Sequence, residues 1–184
     1  MVGYTWDSDT GNDWEAGESI AQGNGHALAH ALVQIKGSCP SYPVRVVIHS
    51  LGAQVLLKAL REVDGWSRWE DPGFEVTSTH FLGAAQDNEA PTFEWPETAY
   101  AIREETTATF NYVSEEDDTL EWIYNTYEFD QALGATGAES GNDTPCNYHD
   151  YDATSQVGDC HSCYLDTLGD EMVYHMNHVG WYDC

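Results

Sequence analysis

The strongest constraint on this chain lies between residues 44 and 63. Val44-Arg45-Val46-Val47-Ile48 is a short β-branched run with a single Arg, the pattern of a buried parallel strand. It passes directly into His49-Ser50-Leu51-Gly52 and then into Ala53–Val63, where Val55, Leu56, Ala59, Leu60 and Val63 fall on one helical face. Strand, tight turn and helix in immediate succession are the opening of a parallel sheet covered by helices.

The remainder of the chain fits that architecture. Val2–Trp6 reads as a short strand. Glu18–Ile35 carries Ile20, Ala27, Leu28, Ala31, Leu32 and Ile35 at near-helical spacing despite Gly23 and Gly25, and Gly37-Ser38-Cys39-Pro40 ends it. Thr77–Leu82 and Thr107–Val113 read as further strands, Glu121–Tyr127 as a short helix and Gly134–Asn147 as a Gly-rich polar loop. Leu165–Met176 places Leu165, Leu168 and Met172 at helical spacing. There is no internal repeat and no low-complexity linker, so the expectation is a single α/β domain over residues 1–184, a mostly parallel sheet flanked by helices.

Charge excludes several function classes. Thirty-two Asp and Glu against six Lys and Arg give a net charge of −26, which argues against a nucleic-acid partner. Hydrophobic residues at 41% and aromatics at 12% separate the chain from disordered acidic tails. No apolar run approaches the ~18–20 residues of a membrane span, and the N-terminus lacks the basic and apolar regions of a signal peptide, so a soluble, cytoplasmic protein is expected. The acids are spread along the whole sequence. A folded domain so charged repels itself in dilute buffer, and molar salt, with a Debye length of roughly 3 Å, removes most of that repulsion. The composition reads as adaptation to high salt, as in halophilic archaea. The rival reading, a calcium-loaded protein, lacks a D-x-[DN]-x-[DN]-G loop.

Ser50 sits at the turn with Gly52 two residues on, the spacing of the nucleophile elbow G-x-S-x-G, except that Ile48 replaces the first Gly. Such a turn lifts the serine above the strand ends, and the following helix directs its N-terminal N–H groups toward the site. The backbone N–H of Leu51 would then face a developing oxyanion. The plainer alternative is a serine near a helix N-cap.

Ile48-His49-Ser50-Leu51-Gly52-Ala53 resembles the lipase and esterase elbow of the α/β-hydrolase superfamily, and Val2-Gly3-Tyr4-Thr5-Trp6-Asp7-Ser8-Asp9 with its following helix resembles the strand and helix that precede that elbow. The resemblance covers about residues 1–175. It implies a serine hydrolase that cleaves carboxylic esters through an acyl-enzyme, with the triad in the order serine, acid, histidine. Asp117, in Ser114-Glu115-Glu116-Asp117-Asp118-Thr119-Leu120, matches the family's acid turn, with Asp118 one residue out of register. Asp87 follows the preceding strand, where some lipases carry their acid; for all three the alternative is a solvated acidic turn. His161 lies in a turn after a last strand and just before the last helix and resembles the final histidine loop, with His178 next in order; His149 and His175 are the other late histidines, and His49 and His80 come too early or flank the strand. The catalytic set implied is therefore Ser50, Asp117 and His161, with no cofactor and no metal, acting on a small-molecule ester.

In the family the sheet begins with strands preceding the position of Val2, and a loop among them supplies the second oxyanion donor. The expectation is therefore weak activity, and a sheet edge that a second copy could cover as a homodimer. A catalytically silent binding or assembly domain is the alternative. Five cysteines, an odd count, do not suggest a disulfide framework in a cytoplasmic protein. Cys146-x-x-His149 and Cys160-x-x-Cys163 have zinc-ligand spacing, and such a site would pin the Asp143–Leu165 loop; small buried thiols are the other reading. Thr92–Trp95 and Trp66–Trp69 serve either an apolar pocket wall or core packing.

Overall fold

The computed structural model describes residues 3–5, 10, 13–71 and 73–184. The first element among the described residues is the helix α1, Trp14–Ser38, whose N-terminus is capped by the Asp13 carboxylate accepting the Ala16 N–H at 3.1 Å. Strand β1 (Arg45–His49) and helix α2 (Gly52–Asp64) follow. At Gly25 α1 packs tightly on α2: a Cβ there would collide with the stem of Lys58. Next come β2 (Ser78–Leu82), α3 (Pro96–Glu105) and β3 (Thr109–Val113). A π-helical turn (Leu120–Tyr124) leads through the short helical turns α4 (Asn125–Tyr127) and α5 (Leu133–Thr136) to β4 (Tyr148–Asp152). Three more helices, α6 (Thr154–Val157), α7 (Tyr164–Thr167) and α8 (Gly169–Asn177), and a 3₁₀ turn (Val179–Trp181) complete the chain.

The four strands form one parallel sheet in the order β1-β2-β3-β4. On one face, Phe81 and Tyr148 share a core with Leu28 and Leu32 of α1, Leu56 and Leu60 of α2, and Ile102 of α3. From the other face, Leu82, Phe110 and Tyr112 pack on Val157, Tyr164, Leu168 and Met172. Helices therefore cover both faces, as expected of an α/β chain. His49, Leu82, Tyr112 and Tyr151 stand in register across the sheet. All four strands consequently deliver the residues that follow them to one edge, the usual place for a site in an open parallel sheet.

Several expectations are corrected. Val2 and Trp6, the ends of the expected first strand, lie outside the described residues, and Gly3, Tyr4 and Thr5 are not in a strand. The β-branched run at β1 belongs to an edge strand that alternates exposed and half-buried, whereas β2 and β3 are buried throughout. Those two strands carry polar residues, and the sheet pairs them: the Thr79 hydroxyl donates to Thr109 Oγ1 at 2.8 Å, and Asn111 Nδ2 donates to the Leu133 carbonyl at 2.9 Å and to Asp150 Oδ1 at 2.8 Å. Helix α3 was not anticipated, and the last strand, expected ahead of the His161 turn without bounds, is β4. Pro96 in the first turn of α3, with Glu97 beside it, is a helix-start signal, and Ala99, Ala101 and Ile102 form its buried face. In β4 the Asp150 carboxylate accepts from Tyr148, Asn111 and the Ala138 N–H, so a polar run is held as a strand by side-chain hydrogen bonds.

The cysteines also differ from expectation. Cys146 is bonded to Cys184 and Cys160 to Cys163, leaving Cys39 free and exposed. Thiolates consumed in disulfides cannot ligate zinc, and His149 Nε2 donates instead to the Tyr182 carbonyl at 3.2 Å. Among the described residues, no group of three or more His, Cys, Asp or Glu could hold a metal ion. Nor is any described helix long and apolar enough to cross a membrane.

Candidate active site

Ser50 occupies the junction between β1 and α2 with φ at 54°, a left-handed conformation that side-chain-bearing residues seldom adopt. The turn is sutured to the exit of β2: the Ser50 N–H donates to the Leu82 carbonyl at 3.1 Å, and the Ser50 carbonyl accepts from the N–H groups of Ala53 (3.0 Å) and Ala85 (3.2 Å). Strain held in place by surrounding hydrogen bonds is characteristic of working sites. No side chain caps the start of α2, and among the described residues the Leu51 N–H makes no hydrogen bond. An uncapped helix start carries partial positive charge.

Asp117 reaches the same edge by the turn that leaves β3, where its N–H donates to the Ser114 carbonyl at 3.2 Å. Its carboxylate is fully buried and accepts four hydrogen bonds. Oδ1 takes the N–H groups of Thr119 and Leu120, each at 3.1 Å; Oδ2 takes His161 Nδ1 at 2.8 Å and the Tyr164 hydroxyl at 3.0 Å. Burial by itself would raise this carboxyl, but the hydrogen bond and charge of His161, with the donors at Leu120 and Tyr164, outweigh burial and hold it below the usual carboxylate range.

His161 arrives from 44 residues farther along the chain, on the turn after α6. The Ser114 hydroxyl donates to the Gly158 carbonyl at 2.7 Å and so ties that turn to the acid's own. The Gly83 backbone forms the surface under the imidazole: with φ at 52°, a Cβ there would stand 3.2 Å from His161 Cε1 and Nδ1 and 2.9 Å from Tyr164. Only glycine suits both the conformation and the space. His49, just before the serine, donates from Nε2 to the His161 carbonyl at 2.6 Å, and the two rings lie against each other with centroids 4.6 Å apart and planes tilted by 46°. Burial pushes His49 down, partly offset by that hydrogen bond.

The structure thus brings Asp117 and His161 into contact and sets both beside the Ser50 turn through His49 and Gly83. It does not close the last link: the half-buried Ser50 hydroxyl makes no hydrogen bond to a described residue. Catalytic hydrogen bonds are often long without substrate.

The other candidates lie elsewhere. Asp118 is exposed. Asp87 faces Tyr124, whose hydroxyl donates to it at 2.5 Å, and burial raises its carboxyl. His178, the residue that ends α8, bonds back to the Tyr174 carbonyl of that helix. His80 and His175 flank the Tyr112 hydroxyl at 3.1 and 2.9 Å in the core. Tyr164 and the role of His49 were not foreseen; their positions, three residues after the base and one before the serine, are the signal that was available.

The Cys160–Cys163 bridge brackets His161 and Ser162. Closing so short a loop removes little chain entropy, about 2 kcal/mol, against about 4 kcal/mol for Cys146–Cys184, which spans 38 residues. The short bridge therefore acts chiefly on local geometry.

Comparison with known proteins returns no match, whether to a family model, a curated protein or a solved structure.

Proposed function

We propose that the protein is a serine hydrolase of carboxylic esters, built on an α/β-hydrolase-like sheet. The observation that carries this reading is the half-buried His161 held by the buried Asp117, 2.8 Å between Nδ1 and Oδ2, at the same sheet edge as a serine in a left-handed strand-to-helix turn. Asp117 fixes the imidazole with its proton on Nδ1, which leaves Nε2 free to accept the Ser50 proton. Ser50 attacks the ester carbonyl, His161 takes the hydroxyl proton and returns it to the leaving alcohol, and water hydrolyses the acyl-enzyme by the same route. The Leu51 N–H and the dipole of α2 stabilise the oxyanion.

A binding or assembly domain that has lost catalysis is the second reading. It is favoured by the open Ser50 hydroxyl and by the outer edge of β1, which pairs with no strand among the described residues and could take a second copy. The cytoplasmic expectation weakens as well, because disulfides persist in oxidising compartments.

Hydrolysis of a short-chain p-nitrophenyl ester in molar KCl tests the first reading. Turnover that disappears in Ser50→Ala and His161→Ala supports it. No turnover from the folded wild-type chain, or turnover unaffected by Ser50→Ala, favours the second.

A further inference from the structure

The segment that delivers the imidazole has little regular structure of its own. Residues 158–163 belong to neither helix nor strand, and within the turn the Cys163 N–H donates to the Cys160 carbonyl at 3.0 Å. Three groups from the next few residues are nevertheless placed closely against the acid and the elbow. The His161 ring and the Tyr164 hydroxyl both meet Asp117 Oδ2, and the His161 carbonyl accepts from His49. The Cys160–Cys163 bridge closes the backbone between them, and both cysteines are half-buried with the exposed Ser162 between, within reach of a small reagent.

We propose that the Cys160–Cys163 disulfide is a thiol-exchange site that positions the His161 imidazole, so that a dithiol reductant turns the hydrolase down by releasing the turn that carries its base. The proposal rests on the assignment of His161 as that base. One thiolate of the dithiol attacks a sulfur of the bridge, the S–S bond breaks, and the other cysteine leaves as a thiolate that takes a proton from water. The second thiol of the reductant gives its proton to solvent and displaces the remaining cysteine, so the reductant departs as a disulfide. Two electrons pass from the dithiol to the protein, and two cysteine thiols replace the bridge. The turn then keeps its hydrogen bonds but loses its covalent closure, and the imidazole shifts against Asp117 and Ser50. Reoxidation restores it.

The test uses the full, oxidised chain in molar KCl, titrated with dithiothreitol. Alkylation and mass spectrometry report which bridge has opened, and ester hydrolysis is followed in parallel. Opening of Cys160–Cys163 is expected to lower kcat by about 10²-fold, the loss typical of a catalytic group displaced by ~1 Å. KM should change by less than about twofold, because the substrate's ground-state contacts are untouched. Reoxidation returns kcat. The Cys160→Ser, Cys163→Ser double variant shows the low kcat from the outset and ignores reductant, while Cys146→Ser with Cys184→Ser responds as the wild type does. A kcat unchanged with the 160–163 bridge open overturns the proposal. Should the oxidised chain hydrolyse no ester, the hydrolase reading fails separately, and the positioning claim is decided by the His161 ring resonances in NMR. They are displaced by opening the bridge if the claim holds and unmoved if it does not.

Discussion

Two histidine networks share one face of the sheet, and they differ in where they end. The first joins His49, His161, Asp117 and Tyr164 at the carboxyl ends of the strands and opens beside Ser50. The second runs through the core. His80 Nε2 meets the Ser78 hydroxyl at 3.0 Å, its Nδ1 meets Tyr112, and Tyr112 meets His175, whose Nε2 lies 3.8 Å from Glu171. His80 and Ser78 are fully buried, and burial, with the nearby charges of His175 and Arg45, depresses the His80 imidazole to about 3. A neutral ring sealed from substrate can hold a fold together but cannot cycle a proton near neutral pH. A buried serine–histidine contact is thus no sign of catalysis by itself. What distinguishes the first network is its place at the strand ends, a carboxylate held ionised behind the ring, and a hydroxyl lifted by a strained turn.

The contrast predicts opposite phenotypes. Ser50→Ala or His161→Ala should lower ester turnover by about 10³-fold or more, while leaving the urea midpoint nearly unchanged. His80→Ala should do the reverse. It leaves the Ser78 hydroxyl buried without its partner and opens a cavity, at a cost of about 3 kcal/mol in denaturant unfolding with turnover in the surviving fold retained. Should both variants lose activity alone, or stability alone, the division between the networks fails.

Acidity separates them further. The His80 imidazole is depressed in the folded protein, so between its ordinary value and about 3 the unfolded chain binds more protons than the folded one. Its contribution to stability is therefore complete above pH ~6.5 and is lost as pH falls toward 3. The Asp117 carboxyl is held below its ordinary value, so its contribution survives until pH falls below ~4. Denaturant midpoints measured from pH 7 to pH 4 should fall in the wild type and fall less steeply in a His80→Phe chain. Equal slopes would place the acid sensitivity elsewhere. The smallest expected effect is Tyr164→Phe, which removes one of the four donors on Asp117 and should reduce kcat by about tenfold, corresponding to one lost hydrogen bond of ~1–1.5 kcal/mol.

Much of the candidate site is legible in the sequence because its parts sit next to regular elements. The β-branched run and the apolar face of α2 locate Ser50, and the turns that leave β3 and precede the last helices contain Asp117 and His161. The parts that escaped notice depend on long-range pairing. Strand β4, Tyr-His-Asp-Tyr-Asp, has no apolar run to mark its bounds and is held by Asn111 and Ala138 from other elements. Strands β2 and β3 were legible as strands, but their polar residues hid that they are the most buried of the four, since Thr79 and Asn111 find their partners at Thr109 and Asp150 on neighbouring strands. The disulfides run against an expectation built on an odd cysteine count and on a cytoplasmic compartment read from the lack of a signal-peptide pattern, neither of which reports the redox state around the folded chain.

The assignment of Ser50 as the nucleophile is tested most directly by mapping the adduct of a fluorophosphonate probe on the folded chain in molar KCl by mass spectrometry. The account predicts a single modified residue, Ser50, with labelling lost in His161→Ala and slowed in Asp117→Asn. A folded protein that takes no label, or takes it at another serine, would contradict it.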